Sequence, residues 1–273
     1  MHMKIIAFDL DFTLLDSAKR LSKRNIAALK AAKRAGIEPV VATGRLYKGV
    51  PDTLKDICRY HILINGAKVY DSKENKIIYE AAIPQELALS VYEYADTFDC
   101  LYDAYIEDSG IMTSRMLDRF DDYVADKNYA VSQKALRKGV SELKRYIREA
   151  STDVQKAQLY FKTVEEKDAQ LAILPDLFPD LKFSCSLGQN IEINQKSAGK
   201  GVALEALCKY LGYTLKETVA LVDGTNDTEM IQYAGTGYCM INGDDAVKKI
   251  ADRITEFDCD SDGVGIEIEK ILT

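Results

Sequence analysis

The stretch KIIAFDLDFTLLD, residues 4–16, decides the reading of this chain. Residues 5–8 are apolar without polar alternation, the pattern of a strand covered on both faces in a parallel sheet. That run ends in Asp9, and Asp11 follows two residues later. Acids are depleted from strands, and like charges that close repel. Two carboxylates at the tip of a buried strand therefore need a compensating group. The carboxyl ends of such strands are also where open α/β sheets hold their ligands.

The neighbouring sequence repeats the theme. LSKRNIAALKAAKRAG, 21–36, spaces Ile26, Leu29, Ala32 and Lys33 as one helical stripe, with Ser22 as N-cap and Gly36 closing the helix. IEPVVATGR, 37–45, is a strand running into Thr43 and Gly44, and HILINGAKVY, 61–70, a strand ending at Asn65 and Gly66. This rhythm predicts an α/β fold with a Rossmann-like, doubly wound parallel sheet. It breaks near Pro84, where helical PQELALSVYEYADTF gives way to alternating segments such as CLYDAYIE, 100–107, and VQKAQLYFK, 154–162. Residues 83–189 are thus expected to form an inserted α+β domain with an antiparallel sheet. The core is expected to comprise 1–82 and 190–273, resuming with IEIN at 191–194, a helix from Lys200, and strand TVALV, 218–222.

Composition narrows the partners. The 273 residues are 47% hydrophobic and 29% charged, with a formal net charge of −7 and no basic stripe. Nucleic acid is not an expected partner, because phosphate-backbone binding needs clustered cations. Six scattered cysteines without a CxxC pair read as reduced thiols of a cytoplasmic protein. No apolar run reaches the ~18 residues of a membrane span, so no membrane association is expected.

Four features fall at or just after predicted strand ends: Asp9 with Asp11, Thr43 with Gly44, Lys200 opening a helix, and Asp223 with Asn226 and Asp227. Four acids from two distant segments cannot all stay ionised in a low-dielectric crevice. A hard divalent cation offsets their repulsion, and an all-oxygen set favours Mg²⁺ over zinc. Lys196 and Lys200 both follow the same strand; spacing to the next helix favours Lys200. Carboxylates alone would repel a phosphate, whereas carboxylates with Mg²⁺, a lysine, a hydroxyl and backbone N–H groups can receive one.

The set DLDFT, VVATGR, NGA, SAGKG, DGTNDTEM and DGVG, in that order, resembles the haloacid dehalogenase superfamily. Within it, the chain resembles the Cof-type phosphatases, whose C2-type cap lies between the second and third motifs. The resemblance implies a Mg²⁺-dependent phosphomonoester hydrolase of small phosphorylated metabolites, sugar phosphates first and nucleotide or cofactor phosphates next. By position, it makes Asp9 the nucleophile that becomes an aspartyl-phosphate and Asp11 the general acid, then base. Asp9, Asp223 and the main-chain carbonyl of Asp11 would hold the metal, supported by Asp227. Thr43, Gly44, Lys200 and Asn226 would bind the phosphoryl group, Lys200 also serving catalysis. A binding or regulatory module that keeps the fold without activity is the alternative. Phe12 and Val222 depart from the pattern, each standing where the family has glycine. A positive φ at residue 12 would strain phenylalanine; alternatively, its ring would point towards the cap and narrow the leaving-group pocket, whereas Val222 would extend its strand.

Overall fold

The computed structural model describes residues 3–124, 127–185 and 188–273. In chain order its strands are β1 (Ile5–Phe8), β2 (Glu38–Ala42), β3 (Tyr60–Leu63), β4 (Lys68–Asp71), β5 (Lys76–Glu80), β6 (Leu101–Ile106) and β7 (Ser109–Thr113). There follow β8 (Arg137–Val140), β9 (Lys156–Tyr160), β10 (Leu181–Ser184), β11 (Asn190–Gln195), β12 (Thr218–Val222), β13 (Thr236–Cys239) and β14 (Arg253–Ile254). They fall into two compact units, Met1–Glu80 with Gly199–Thr273, and Ala81–Ala198.

The first unit carries an eight-stranded sheet in the order β14-β13-β12-β1-β2-β3-β4-β5. From β14 to β3 all pairs are parallel, and β3-β4-β5 adds an antiparallel meander at one edge. The α/β expectation from residues 4–16 holds: Ile5, Ile6, Ala7 and Phe8 are all fully buried. Burying each of the larger side chains contributes about 1.5–3 kcal/mol. On one face, Ile5 and Ala7 join Val40, Ala42, Ala220 and Val222 against helices Lys200–Leu211 and Thr228–Tyr233. The register sets Phe8 beside Val41 on one side and Leu221 on the other. β2 and β12 each run one residue further, so the three strands end within one residue of one another, just before Asp9, Thr43 and Asp223.

Helix Lys23–Arg34 begins as expected, with the Ser22 side chain accepting from the Asn25 N–H, but its buried stripe is Asn25, Ala28, Leu29 and Ala32. Lys33 is exposed. Asn25 lies inside because it donates to the Leu14 carbonyl and accepts from the Gly265 N–H, which satisfies its amide. That pairing locks the helix onto helix Gly263–Leu272. The hairpin β4–β5 goes beyond the sequence expectation; its second strand, KIIYE, is a short apolar run between charged residues at the sheet edge.

The second unit holds a six-stranded sheet in the order β10-β11-β9-β6-β7-β8, antiparallel except for β7–β8. One face is apolar, with Ala104, Ile106, Leu159, Ile191 and Ile193 packed together with Leu89 and Tyr92 of helix Gln85–Ala95 and with Ile147 of helix Leu143–Glu149. The strand at 190–195, expected to reopen the core, belongs to this sheet and pairs with β9 and β10. Its alternation explains why: Ile191 and Ile193 join the apolar face, while Asn190, Glu192 and Asn194 carry the polar one. A strand buried between helices of the parallel sheet would need apolar residues on both faces.

Candidate active site

Asp9 continues β1 past its last pair, its N–H donating to the Leu221 carbonyl at 3.0 Å. Its carboxylate is buried and accepts from Lys200 Nζ at 2.6 Å. Lys200 is fully buried as the first residue of its helix, and its ammonium also pairs with the Asp227 carboxylate. Glycines bring that helix in. A Cβ on Gly66, whose φ is +89°, would lie 2.3 Å from the Gly199 backbone, and a Cβ on Gly201 would meet the Glu229 carbonyl at 2.6 Å. Lys196, the rival lysine, donates instead to the Pro179 carbonyl.

Asp223 leaves β12, and its Oδ1 accepts from the Thr13 hydroxyl at 2.6 Å. Carboxylate oxygens of Asp9, Asp223 and Asp227 lie within 4.8 Å of one another. Burial pushes the Asp9 carboxyl up to about 8 against the pull of Lys200, with Asp227 and Asp223 adding to the rise. Burial also lifts Asp223, to about 6, although the Thr13 hydrogen bond opposes it. For Lys200, burial disfavours the charge, but Asp227 and Asp9 override it and hold the ammonium well above its ordinary range. One lysine thus serves three acids. Asp227 Oδ2 is buried and takes no hydrogen bond among the described residues. Unspent charge and an orphaned oxygen in an all-carboxylate cluster fit a hard divalent cation.

Asp11 is placed differently. Its carboxylate is gripped by Arg45, through Nη2 at 2.6 Å and Nε at 2.9 Å, and by Lys19 Nζ at 2.9 Å. Burial works against its charge, yet Arg45 and Lys19 prevail and hold the carboxyl below the ordinary range. Its carboxylate is not part of the cluster formed by Asp9, Asp223 and Asp227. Thr43 is buried at the end of β2, its hydroxyl accepting from the Arg45 N–H at 3.2 Å. Gly44 lies against Asn65, whose Oδ1 sits 2.6 Å from where a Cβ would be. Asn226 is exposed on the turn after β12, its Oδ1 folded over Gly224.

A family model for haloacid dehalogenase-like hydrolases matches residues 6–268. The chain belongs to the haloacid dehalogenase-like hydrolases. Phosphatase YwpJ of Bacillus subtilis (strain 168) is 30% identical, covering 93% of this chain and 94% of that protein. The 5-amino-6-(5-phospho-D-ribitylamino)uracil phosphatase YcsE of the same organism is 27% identical, covering 97% and 94%. The crystal structure of a haloacid dehalogenase-like hydrolase from Bacteroides thetaiotaomicron superposes with a TM-score of 0.84 at 25% identity, covering 98% and 99%. The expected place among HAD-type phosphatases of the Cof type stands.

Within this hydrolase, the departures from the family pattern have distinct outcomes. Val222 is buried as the last residue of β12, paired with Cys239. Phe12 adopts φ +60°, a left-handed conformation that costs a non-glycine residue about 1–2 kcal/mol. The clamp of Arg45 and Lys19 on Asp11 was not anticipated. The arginine of VVATGR was a signal for it, since a guanidinium matches a carboxylate in two-point contact; Lys19, in a polar turn, offered none.

Proposed function

We propose that the chain is a Mg²⁺-dependent phosphomonoester hydrolase of small phosphorylated metabolites, acting through an aspartyl-phosphate on Asp9. Sugar phosphates are the favoured substrates, with nucleotide or cofactor phosphates next. The carrying observation is the convergence of Asp9, Lys200, Asp223 and Asp227 from three separate segments, two following strands of the parallel sheet and one opening a helix. YcsE supports the metabolite class, since its name gives a substrate that joins a phosphorylated ribityl chain to uracil.

Asp9 and Asp223, with the Asp11 carbonyl, would hold Mg²⁺, and Asp227 would support it. Bound there, the cation supplies charge neutralisation that lets phosphate approach the acids. Asp9 attacks phosphorus, and Lys200, held against its carboxylate, balances charge on the transferring oxygens together with Thr43, the Gly44 N–H and Asn226. Asp11 delivers a proton to the leaving oxygen and then removes one from the hydrolytic water, a role that requires its carboxylate to leave the grip of Arg45 and Lys19, which keeps it ionised, and to take up a proton first. Arg45 and Lys19 fix where that carboxylate waits. Phosphoryl transfer depends mainly on positioning and charge stabilisation, and these groups provide both.

The catalytic core is assigned to the first unit, which contains every one of these residues, and substrate selection by a cap to the inserted unit. Six free cysteines, five of them buried, favour the reducing cytoplasm. No helix among the described residues is long and apolar enough to cross a membrane. The test is hydrolysis of an aryl phosphate with Mg²⁺ and with chelator. Turnover that needs the metal and falls about 10³-fold or more in Asp9→Asn is expected. Absence of turnover in the wild type, or its survival in that variant, rejects the reading.

A further inference from the structure

Phe12 sits three residues after Asp9 with φ +60°, a conformation that glycine adopts without strain. Asn242 donates to the Phe12 carbonyl at 2.8 Å, a contact any residue would supply. Phe12 stays 45% exposed, although it is a large apolar residue. Strain at a large apolar side chain left half-exposed points to a role toward something outside the folded chain. The surroundings say what. Lys19 Nζ lies 3.5 Å from the ring centroid and 2.9 Å from Asp11 Oδ1. The ring is therefore one cation away from the carboxylate assigned to the leaving oxygen, on the leaving-group side of the chemistry. The cation–π contact braces the ring, and its exposed remainder is a flat apolar surface.

We propose that Phe12 is a specificity-determining residue: braced by Lys19, its ring stacks on leaving groups that present a ring face, and so favours them over acyclic ones. This rests on the phosphomonoesterase reading above. The face of a cyclic sugar and the face of a nitrogenous base share this chemistry, and the substrates in the test separate them.

The test compares kcat/KM for four phosphates: an aryl phosphate, a cyclic hexose phosphate, a nucleoside monophosphate and glycerol phosphate. The enzymes are wild type, Phe12→Leu, Phe12→Gly and Phe12→Tyr. The ratio of ring-bearing to acyclic substrate should fall about 2- to 10-fold in the leucine and glycine variants, mostly through KM, the range that aromatic contacts supply. Tyrosine should preserve it. The ring substrate with the larger fall identifies the source. Phe12→Gly relieves the positive φ, so a melting midpoint at or above that of the wild type separates lost stacking from lost folding. A ratio indifferent to residue 12, or an equal loss on all four substrates, overturns the proposal. A wild type inactive on all four instead removes the phosphatase reading beneath it.

Discussion

Asp9→Asn should stabilise the metal-free protein at alkaline pH while abolishing turnover. Asparagine keeps the oxygen that accepts from Lys200 at 2.6 Å and discards one buried negative charge. In the fold, burial, with Asp227 and Asp223 adding, raises this carboxyl from 3.8 to about 8. The folded state then holds the proton more tightly than the unfolded one. That preference contributes fully below about pH 4 and is lost as pH rises through 8. At about 1.4 kcal/mol per pH unit over about four units, the ceiling is about 6 kcal/mol. The cluster can share a proton between Asp9 and Asp223, so we expect about half, roughly 3 kcal/mol, to be recovered by the variant. The chain has no tryptophan, so the assay is urea denaturation followed by far-ultraviolet circular dichroism, in chelator, at pH 5, 7 and 9. The two proteins should have similar stability at pH 5 and diverge by pH 9 in favour of asparagine. Saturating Mg²⁺ should narrow the gap, because the cation offsets the same charge. Parallel curves from pH 5 to 9 would refute the account of a charge-strained cluster.

Three further outcomes follow from named contacts. Thr13→Val removes the hydroxyl that donates to Asp223 at 2.6 Å, so Asp223 should rise above about 6 and Mg²⁺ affinity weaken about 10- to 100-fold, read from the metal dependence of turnover. Arg45→Met releases the two-point grip on Asp11; its carboxyl should return toward the ordinary range, moving the Asp11 limb of the pH–rate profile upward, and Arg45→Lys should restore it only in part. Asp103→Asn leaves Arg137, a partner at 2.6 Å with both side chains almost fully buried, without its counter-charge, and should cost the second unit about 3–5 kcal/mol in denaturation.

Much of the site was readable because its residues sit within short motifs whose logic is local. Residues 4–16 combine an apolar strand with Asp9 and Asp11, and DGTNDTEM combines a strand end with Asp223 and Asp227. The strand at 190–195 misled because its composition fits either sheet, and the pairing of Glu192 with Gln158 and Ser184 is a choice between distant partners. The stripe of helix Lys23–Arg34 misled for a related reason. Asn25 counts as polar by itself and becomes interior only when Leu14 and Gly265 satisfy its amide.

By itself, then, the order of residues settled the α/β class, the strand ends that carry acids, and the lysine spaced to meet them, since these follow from periodicity and charge along a few neighbouring positions. Tertiary structure decided which way each charge is balanced. Lys200 reaches Asp9 because the bare backbones of Gly66, Gly199 and Gly201 let its helix approach, and Asp11 turns from the acid cluster because Arg45 and Lys19 meet it first. Electrostatic energy depends on separation through space and on the water excluded between groups, and neither is written in the spacing of the chain.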